Sequence, residues 1–295
     1  MKIDIMLPFW GDPALLYQAI DSVRAQTDPD WHLTIIDDCY PDDNIGSQVE
    51  AHGDPRITYL RNEVNLGIVN NFRLCVQLAR AELVVIFGCD DLMLPNYIHA
   101  VKTAATQFPE ASIIQPLVQV VDETGQVTRP LADRVKGWLS PRVRHPVVID
   151  GEKAAVSLLR GDWLYWPSLA FRREALQAFD FDEDFPIILD LALILDIVNA
   201  GGSILYYPTL CFSYRRHSAS ASSRTAFTGH RFDDERTFFG LAQAKMKALG
   251  WRHAERVARS HVTSRLYAVV LVPHALRCRD WAGVKSLLVH LFTRH

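Results

Sequence analysis

The sequence is short of cysteine, and what it has is scattered. Cys39, Cys75, Cys89, Cys211 and Cys278 are odd in number among 295 residues and form no CxxC pair. Neither a zinc cradle nor a disulfide framework is signalled, and a reduced, cytosolic compartment is the expectation. Long apolar runs are missing as well. Leu266 to Val272 comes nearest, and Pro273 cuts it well short of the roughly 18 residues that suggest a membrane span. Met1-Lys2 leads directly into the strand-like Ile3-Asp4-Ile5-Met6-Leu7, which is no leader-peptide pattern. The formal net charge of -3 lacks the basic excess that phosphate neutralisation demands, which argues against a nucleic-acid binder. The first turn, Pro8-Phe9-Trp10-Gly11-Asp12-Pro13, contains no GxGxxG. That counts against a nicotinamide-dependent Rossmann oxidoreductase, and the glycine-rich basic first loop of a nucleotidyltransferase is missing too. No internal repeat is visible.

What is present is an ordinary globular composition, 49% hydrophobic and 22% charged, enough for a substantial core. Strand and helix patterns alternate through the first hundred residues, the mark of a mostly parallel sheet. Ile3–Leu7, Trp31–Ile36, Ile57–Leu60 and the continuous apolar run Leu83–Phe87 read as strands; Ala14–Ala25 and Val69–Ala79 read as helices. Strands are also expected over Ser112–Val121, Leu169–Arg172 and Ser203–Tyr207, and helices over Gly151–Arg160, Glu174–Phe179 and Asp190–Ala200, the last stopped by Gly201-Gly202. Ala132–His145 is basic and proline-bearing without a clean period and reads as a loop or flap. Ser218–Ser223 reads as a loop of small residues, and from Phe232 onward the pattern is helical.

Acidic and glycine-bearing segments follow successive strands: Trp10-Gly11-Asp12 after the first, Asp37-Asp38 after the second, Asn65-Leu66-Gly67 after the third, and Gly88-Cys89-Asp90-Asp91 after the fourth. Open α/β sheets bind ligands at those carboxyl ends. With Ser22 to Thr27 ending the first helix, Pro95 behind the acidic pair, Leu189-Asp190, Gly201-Gly202 and Tyr214-Arg215-Arg216-His217 in this order, the chain resembles the family 2 glycosyltransferases of the GT-A fold over roughly residues 1–220. Each motif is weak alone; the ordered set is specific. The fold so implied is α/β, a GT-A (Rossmann-like) mixed, mostly parallel sheet flanked by helices. Residues 1–225 would form the catalytic domain, with a nucleotide-sugar half at 1–110 and an acceptor half at 111–225, and 226–295 a helical C-terminal extension.

The resemblance implies a metal-dependent, inverting transfer of sugar from a nucleotide-diphosphate donor, UDP- or dTDP-linked by preference, to a hydroxyl of a glycan or lipid-linked acceptor. Cell-surface polysaccharide or glycoconjugate synthesis is the setting it suggests. A departing diphosphate must be neutralised, and Mn2+ or Mg2+ on carboxylate oxygens does so. Asp90 and Asp91 would hold that cation, with His217 completing the shell. A solvated or helix-capping Asp-Asp turn is the plainer alternative. The family's acidic motif commonly starts two residues before Asp90, where this chain has Gly88. Asp37 and Asp38 would accept hydrogen bonds from base and ribose, or else cap their loop. Pro8, Phe9 and Trp10 would bracket the base, and Asn65 and Gly67 would let backbone approach the donor, or form a simple turn. Arg215 and Arg216 would offset leaving-group charge. Asp190, flanked by Leu189 and Leu191, would be the general base, its pKa lifted by apolar surroundings; helix N-capping is compatible with that role.

Two features stay open. Trp163, Tyr165 and Trp166 would stack sugar rings as an acceptor platform or simply fill the core. From Trp251 the chain carries eight Arg and Lys against Glu255 and Asp280, interleaved with Val257, Val262, Leu266, Val269, Leu287 and Leu288. This is either a basic amphipathic surface for an anionic inner membrane face or helices packed on the domain or in a homodimer. A non-enzymatic alternative, a glycosyltransferase-derived module that only binds sugar or nucleotide, is motivated by Gly88.

Overall fold

The computed structural model describes residues 1–141, 143–183, 185, 188–216 and 230–292. Strands β1 (Ile3–Phe9), β2 (Trp31–Asp37), β3 (Ile57–Arg61) and β4 (Leu83–Ile86) lie parallel in the order β3-β2-β1-β4. Helices α1 (Pro13–Arg24), α2 (Ile45–Glu50) and α3 (Gly67–Leu78) connect them. The short β5 (Leu92–Met93) and helix α4 (Tyr97–Gln107) lead to β6 (Ile113–Val121). Then come α5 (Leu131–Leu139), β7 (Val147–Asp150), α6 (Gly151–Arg160), β8 (Ala170–Arg172), α7 (Arg173–Gln177), α8 (Leu189–Asn199) and β9 (Ser203–Arg215). The sheet continues from β4 through antiparallel β8 to β6, β9 and β5, with β7 on β9, so it is mixed while its longest registers, β1–β2 and β6–β9, are parallel.

Side-chain alternation along the strands makes two cores. Ile3, Ile5 and Leu7 of β1 pack with Leu16 and Ile20 of α1 and Val101 of α4. Met6 points the other way, into a cluster with Val76, Leu158 and Ile194 from α3, α6 and α8. Full burial of each such side chain contributes about 1.5–3 kcal/mol. Helix α1 starts where Asp12 caps it, its Oδ1 accepting from the Ala14 N–H at 2.8 Å, with Pro13 in the first turn. Helix α8 is buried on nearly every side, which explains its almost uniform apolarity.

The stretch read as a loop or flap, 132–145, instead contains α5, a helix worn inside out. Leu131 and Trp138 are 63% and 61% exposed, while Asp133 is buried and Lys136 half-buried. Polar pairing, with Leu139 alone of its large apolar residues packed on the core, orients this helix, and a hydrophobic period does not register that force. Strand β9 also outruns its expected end at Tyr207. Pro208 has no N–H to give, and the β6–β9 ladder accommodates it by stepping from Tyr207 to Leu210 before regaining register through Arg215.

The remaining helices are α9 (His230–Ala248), α10 (Arg252–Ser260), α11 (Val262–Arg277) and α12 (Trp281–Phe292). Phe238, Phe239 and Met246 of α9 and Ala254 and Ala258 of α10 join the core that contains α6 and α8. By contrast, α11 and α12 make a small cluster of their own around Ala268, Ala275 and Leu287. Among the described residues no helix is long and apolar enough to cross a membrane.

The turn after α8 depends on Gly201, at φ +97°, and on Gly202, where a Cβ would sit 2.7 Å from the Ile197 carbonyl oxygen. Backbone cannot yield as a flexible side chain can. Gly202→Ala is therefore expected to destabilise the fold by about 2 kcal/mol, read as a lower midpoint in thermal or urea unfolding.

Candidate active site

The order β2-β1-β4 brings three strand ends to one edge of the sheet, with Phe9 opposite Asp37 and the Phe87 N–H bonded to the Met6 carbonyl. At the β1 end Phe9 is buried and Trp10 is 53% exposed. Tyr40, which sequence reading passed over, stands against both, with ring centroids 5.1 Å from Phe9 and 5.6 Å from Trp10. Pro8 is half-buried on the same strand. Together they form an aromatic wall whose exposed face is the indole of Trp10.

The carboxylates of Asp37 and Asp38 turn inward. Asp38, 2% exposed, accepts from the Leu66 and Gly67 N–H groups at 2.7 and 2.9 Å and from the Asn62 amide at 2.9 Å. Asp37 is fully buried; it accepts from the Tyr40 N–H at 2.7 Å and from the Tyr59 hydroxyl, and it faces Arg61. Asp38 thus folds the Asn65–Gly67 turn, in which Gly67 takes φ +77° and donates a second bond to the Asn65 side chain. Both aspartates are expected to read base and ribose; in the structure each carboxylate accepts from protein donors and shapes the loop beside it.

The β4 end carries the acidic pair. Asp91 is buried, its Oδ1 accepting from the Arg215 N–H at 2.8 Å, while its Oδ2 is buried with no hydrogen-bond partner. A Cβ built on Gly88 would lie 2.6 Å from that Oδ2 and 3.1 Å from Oδ1 of Asp90. The two carboxylates converge over the bare glycine and fill the volume that any side chain there would need. Desolvation, and then the charge of Asp90, push the Asp91 carboxyl well above the usual carboxylate range. A buried, unbonded oxygen beside a second carboxylate is a donor set suited to a hard divalent cation, and Asp90 and Asp91 would hold it. Among the described residues no group of three metal-ligating side chains occurs, and His217 lies outside them. Gly11 lets the β1 loop press onto Cys89, 3.1 Å from where its Cβ would be, so aromatic wall and acidic pair adjoin.

Arg215 does not reach toward a ligand. It is 3% exposed, and its guanidinium donates to the Asp90 and Glu123 carbonyls and to the Gln18 side chain, bracing the acidic loop from behind. Arg216 next to it grips Asp133 of α5 through two bonds of 3.1 and 2.9 Å and lies over the Tyr214 ring. The Tyr165 hydroxyl also donates to Asp133, and the Lys136 ammonium sits 4.9 Å from the Tyr165 ring centre and 3.5 Å from Asp162.

Asp162 in turn acts on Asp190, in the first turn of α8. Desolvation between buried Leu189 and Leu191, followed by the like charge of Asp162, raises the Asp190 carboxyl to about 6; the Leu191 N–H, 2.8 Å from Oδ1, and Lys136 pull it back. A chain of polar contacts therefore runs from Asp91 through Arg215-Arg216, Asp133, Tyr165 and Lys136 to Asp162, whose charge acts on Asp190. Neither tryptophan expected to bind an acceptor is available to one. Trp163 is buried with its N–H on Ser157, and Trp166 is packed among Phe72, Phe171 and Phe181. Their large apolar surface is what the core uses; of the aromatic trio only Tyr165 joins the polar path.

The family model described as Glycosyl transferase family 2 matches residues 4–177, more than half of the chain. WcaA of Escherichia coli (strain K12), provisionally named a colanic acid biosynthesis glycosyl transferase, is 35% identical over 95 residues, 32% of this chain and 34% of that protein. The uncharacterized protein MT1568 of Mycobacterium tuberculosis is 24% identical over 78% of this chain and 71% of its own. The matched part is about a third of WcaA and 13% of the Sinorhizobium fredii protein y4gI. Among solved structures, S. aureus TarS 1-349 in complex with UDP-GlcNAc superposes with TM-score 0.63 at 14% identity, covering 99% of this chain and 90% of that one. The Pyrobaculum calidifontis mannosyltransferase PcManGT, in complex with GDP-Man and Mn2+, gives 0.60 at 17% identity, covering 98% and 85%. The fold is that of the GT-A glycosyltransferases.

Two outcomes follow from this geometry. Gly88→Ala should displace Asp91 and Asp90, read as a lower unfolding midpoint and, where Mn2+ with a nucleoside diphosphate stabilises the parent chain, as a smaller stabilisation of the variant. For Asp190, a folded pKa raised above the unfolded value means that ionisation penalises the native state fully above pH 6 and not at all below about 4. Asp190→Asn should therefore unfold later than the parent at pH 7.5, by on the order of 1–2 kcal/mol, with the gap closing as pH falls toward 4.

Proposed function

This chain belongs to glycosyl transferase family 2, and on that premise we propose that it moves a sugar, with inversion, from a nucleoside-diphosphate donor to a hydroxyl of a glycan or lipid-linked acceptor. The observation that carries the reading is the convergence of Asp90 and Asp91 over Gly88 beside the aromatic wall, from which contacts through Arg216, Asp133, Tyr165 and Lys136 lead to Asp162, whose charge acts on Asp190. Trp10 and Tyr40 offer the base its wall, and the Asn65–Gly67 turn, held by Asp38, offers backbone to the donor. Asp90 and Asp91 would hold a divalent cation, which when bound would supply Lewis-acid neutralisation of the departing diphosphate.

Asp190 takes the proton of the acceptor hydroxyl as that oxygen attacks the anomeric carbon. At neutral pH a carboxyl with pKa near 6 is ionised, yet more basic than an ordinary aspartate. Its Oδ1 is oriented by the Leu191 N–H, leaving Oδ2 to meet the hydroxyl. Lys136 and Asp162 set the field around it. Arg216 acts on α5 through Asp133, so its part is to position the acceptor-side wall.

The preference for UDP- or dTDP-sugars rests on the family resemblance, and Asp38, which accepts from Leu66, Gly67 and Asn62, does not add to it. Gly88 also argues less for an inactive binding module than its sequence suggested. The acidic pair occupies the space where another side chain would stand, which supports a site built around two carboxylates.

The test is a panel of UDP-, dTDP- and GDP-sugars with and without Mn2+, read by thermal shift and by nucleoside-diphosphate release. One donor should stabilise and turn over in a metal-dependent way; binding without any release would favour the binding module, and no binding would sink both. With the active donor, Asp91→Asn should lower release about 10²-fold or more. Asp190→Asn should keep donor binding and lower turnover by about 10²–10⁴-fold. The rate should rise with pH through about 6. Lys136→Ala removes a charge that favours the Asp190 carboxylate, so it should move that limb upward in the kcat/KM profile, and Asp162→Asn should move it down.

A further inference from the structure

Helices α11 and α12 carry surface that the catalytic reading does not use. On α11 the exposed residues Val262, Leu266, Val269, Val270 and Leu276 recur at the spacing of one helical face, while Ala268, Leu271, Val272 and Ala275 pack on the opposite side. On α12 Trp281, Leu288, Val289 and Phe292 form a second exposed stripe, with Trp281 68% and Phe292 79% exposed at its two ends. Single exposed apolar side chains are ordinary; two whole helix faces of them are a docking surface. Two residues read with this stripe from the sequence, Val257 and Leu287, face inward instead.

The charges decide what docks there. Among the described residues from Trp251 onward, every exposed Asp, Glu, Lys or Arg is basic: Arg252, Arg256, Arg259, Arg277, Arg279 and Lys285. Glu255 and Asp280 are half-buried, and Asp280 accepts from the Gly283 N–H at 2.9 Å. A second copy would bring the same sign to the contact, whereas an anionic leaflet complements it. Exposed Trp and Phe beside arginines are groups that settle at the level of lipid headgroups. Helices of 16 and 12 residues fall short of the roughly 20 needed to span a bilayer, so they would lie on it.

We infer that the α11–α12 hairpin is a monotopic docking face that seats the protein on an anionic bilayer surface. Its placement suits an acceptor carried by lipid. The Thr263 hydroxyl in the first turn of α11 donates to the Arg160 carbonyl, and Gly161 is wedged so closely that a Cβ would meet Leu139 of α5 at 2.5 Å and Thr263 at 3.6 Å. The next residue is Asp162, which acts on Asp190. Helix α11 thus begins beside Asp162, whose charge acts on Asp190, and the link to an acceptor rests on the role proposed above for that carboxylate. The inference goes beyond the transfer reaction and is measured without it.

Co-sedimentation of the full chain with vesicles tests it. The chain should pellet with phosphatidylcholine vesicles containing phosphatidylglycerol, and about tenfold less with pure phosphatidylcholine or in high salt. Leu266→Glu with Val270→Glu should abolish pelleting, as should Arg277→Glu with Arg279→Glu. Both pairs lie on the surface, so an unchanged unfolding midpoint keeps the comparison valid, and Trp281→Ala serves as a milder third variant. Absence of pelleting with anionic vesicles overturns the inference. So does pelleting that none of these variants diminishes. A dimer in solution that Leu266→Glu dissociates, without vesicle binding by the parent, would reassign the face to a contact between copies.

Discussion

A single buried carboxylate organises this molecule. Asp91 leaves the end of β4 and is caught by the Arg215 N–H at the end of β9, joining the fourth strand of the parallel half to the last strand of the sheet. Arg215 returns the grip through its guanidinium, which holds the Asp90 carbonyl, the Glu123 carbonyl and Gln18 of α1. Charge this deep is costly unless it is bonded or paired, and one oxygen of Asp91 is neither hydrogen-bonded nor exposed. The fold keeps two carboxylates converging over a glycine because the rest of the structure holds them there, which is how functional sites retain locally unfavourable arrangements.

From that junction the polar path leads outward through α5. The helix shows how electrostatics can override the usual orientation of an amphipathic segment. Asp133 accepts from Arg216 and Tyr165, Lys136 donates to the Leu164 carbonyl and faces Asp162, and the apolar residues Leu131 and Trp138 are left in water. A helix held by few polar contacts and little buried apolar area belongs to the less stable part of a structure. It carries Lys136 and holds Asp162, the two charges that act on Asp190, so displacement of α5 would alter the field at that carboxylate.

The C-terminal helices divide by what they bury. α9 and α10 give Phe238, Phe239, Met246 and two alanines to the central core, which makes them part of the same folded body. α11 and α12 bury little and display their apolar stripes outward, while the exposed fixed charges around them are of one sign. That division separates helices that stabilise the domain from helices that offer it to a surface.

The alternation of β1 to β4 with their helices was legible in the sequence because period and burial agree there: Ile3, Ile5 and Leu7 lie on one face, and Leu83 to Ile86 are buried on both. The strand-end positions of Trp10, Asp38 and Asp90-Asp91 followed from the same regularity. The lifted pKa of Asp190 was also foreseeable, because Leu189 and Leu191 flank it in the chain. What the sequence could not fix was where each polar or aromatic side chain spends itself. Trp163 and Trp166 went to the core, Asp37, Asp38 and Arg215 to bracing loops, Tyr40 to the aromatic wall, and α5 turned its charges inward. Patterns along the chain determine which segments become strands and helices, since those depend on neighbours a few residues away. The partner of a carboxylate or a side-chain amide is set by residues 28, 53 or 124 positions distant, as in Asp38–Leu66, Gln115–Ser168 and Asp91–Arg215, and only the tertiary structure brings those together.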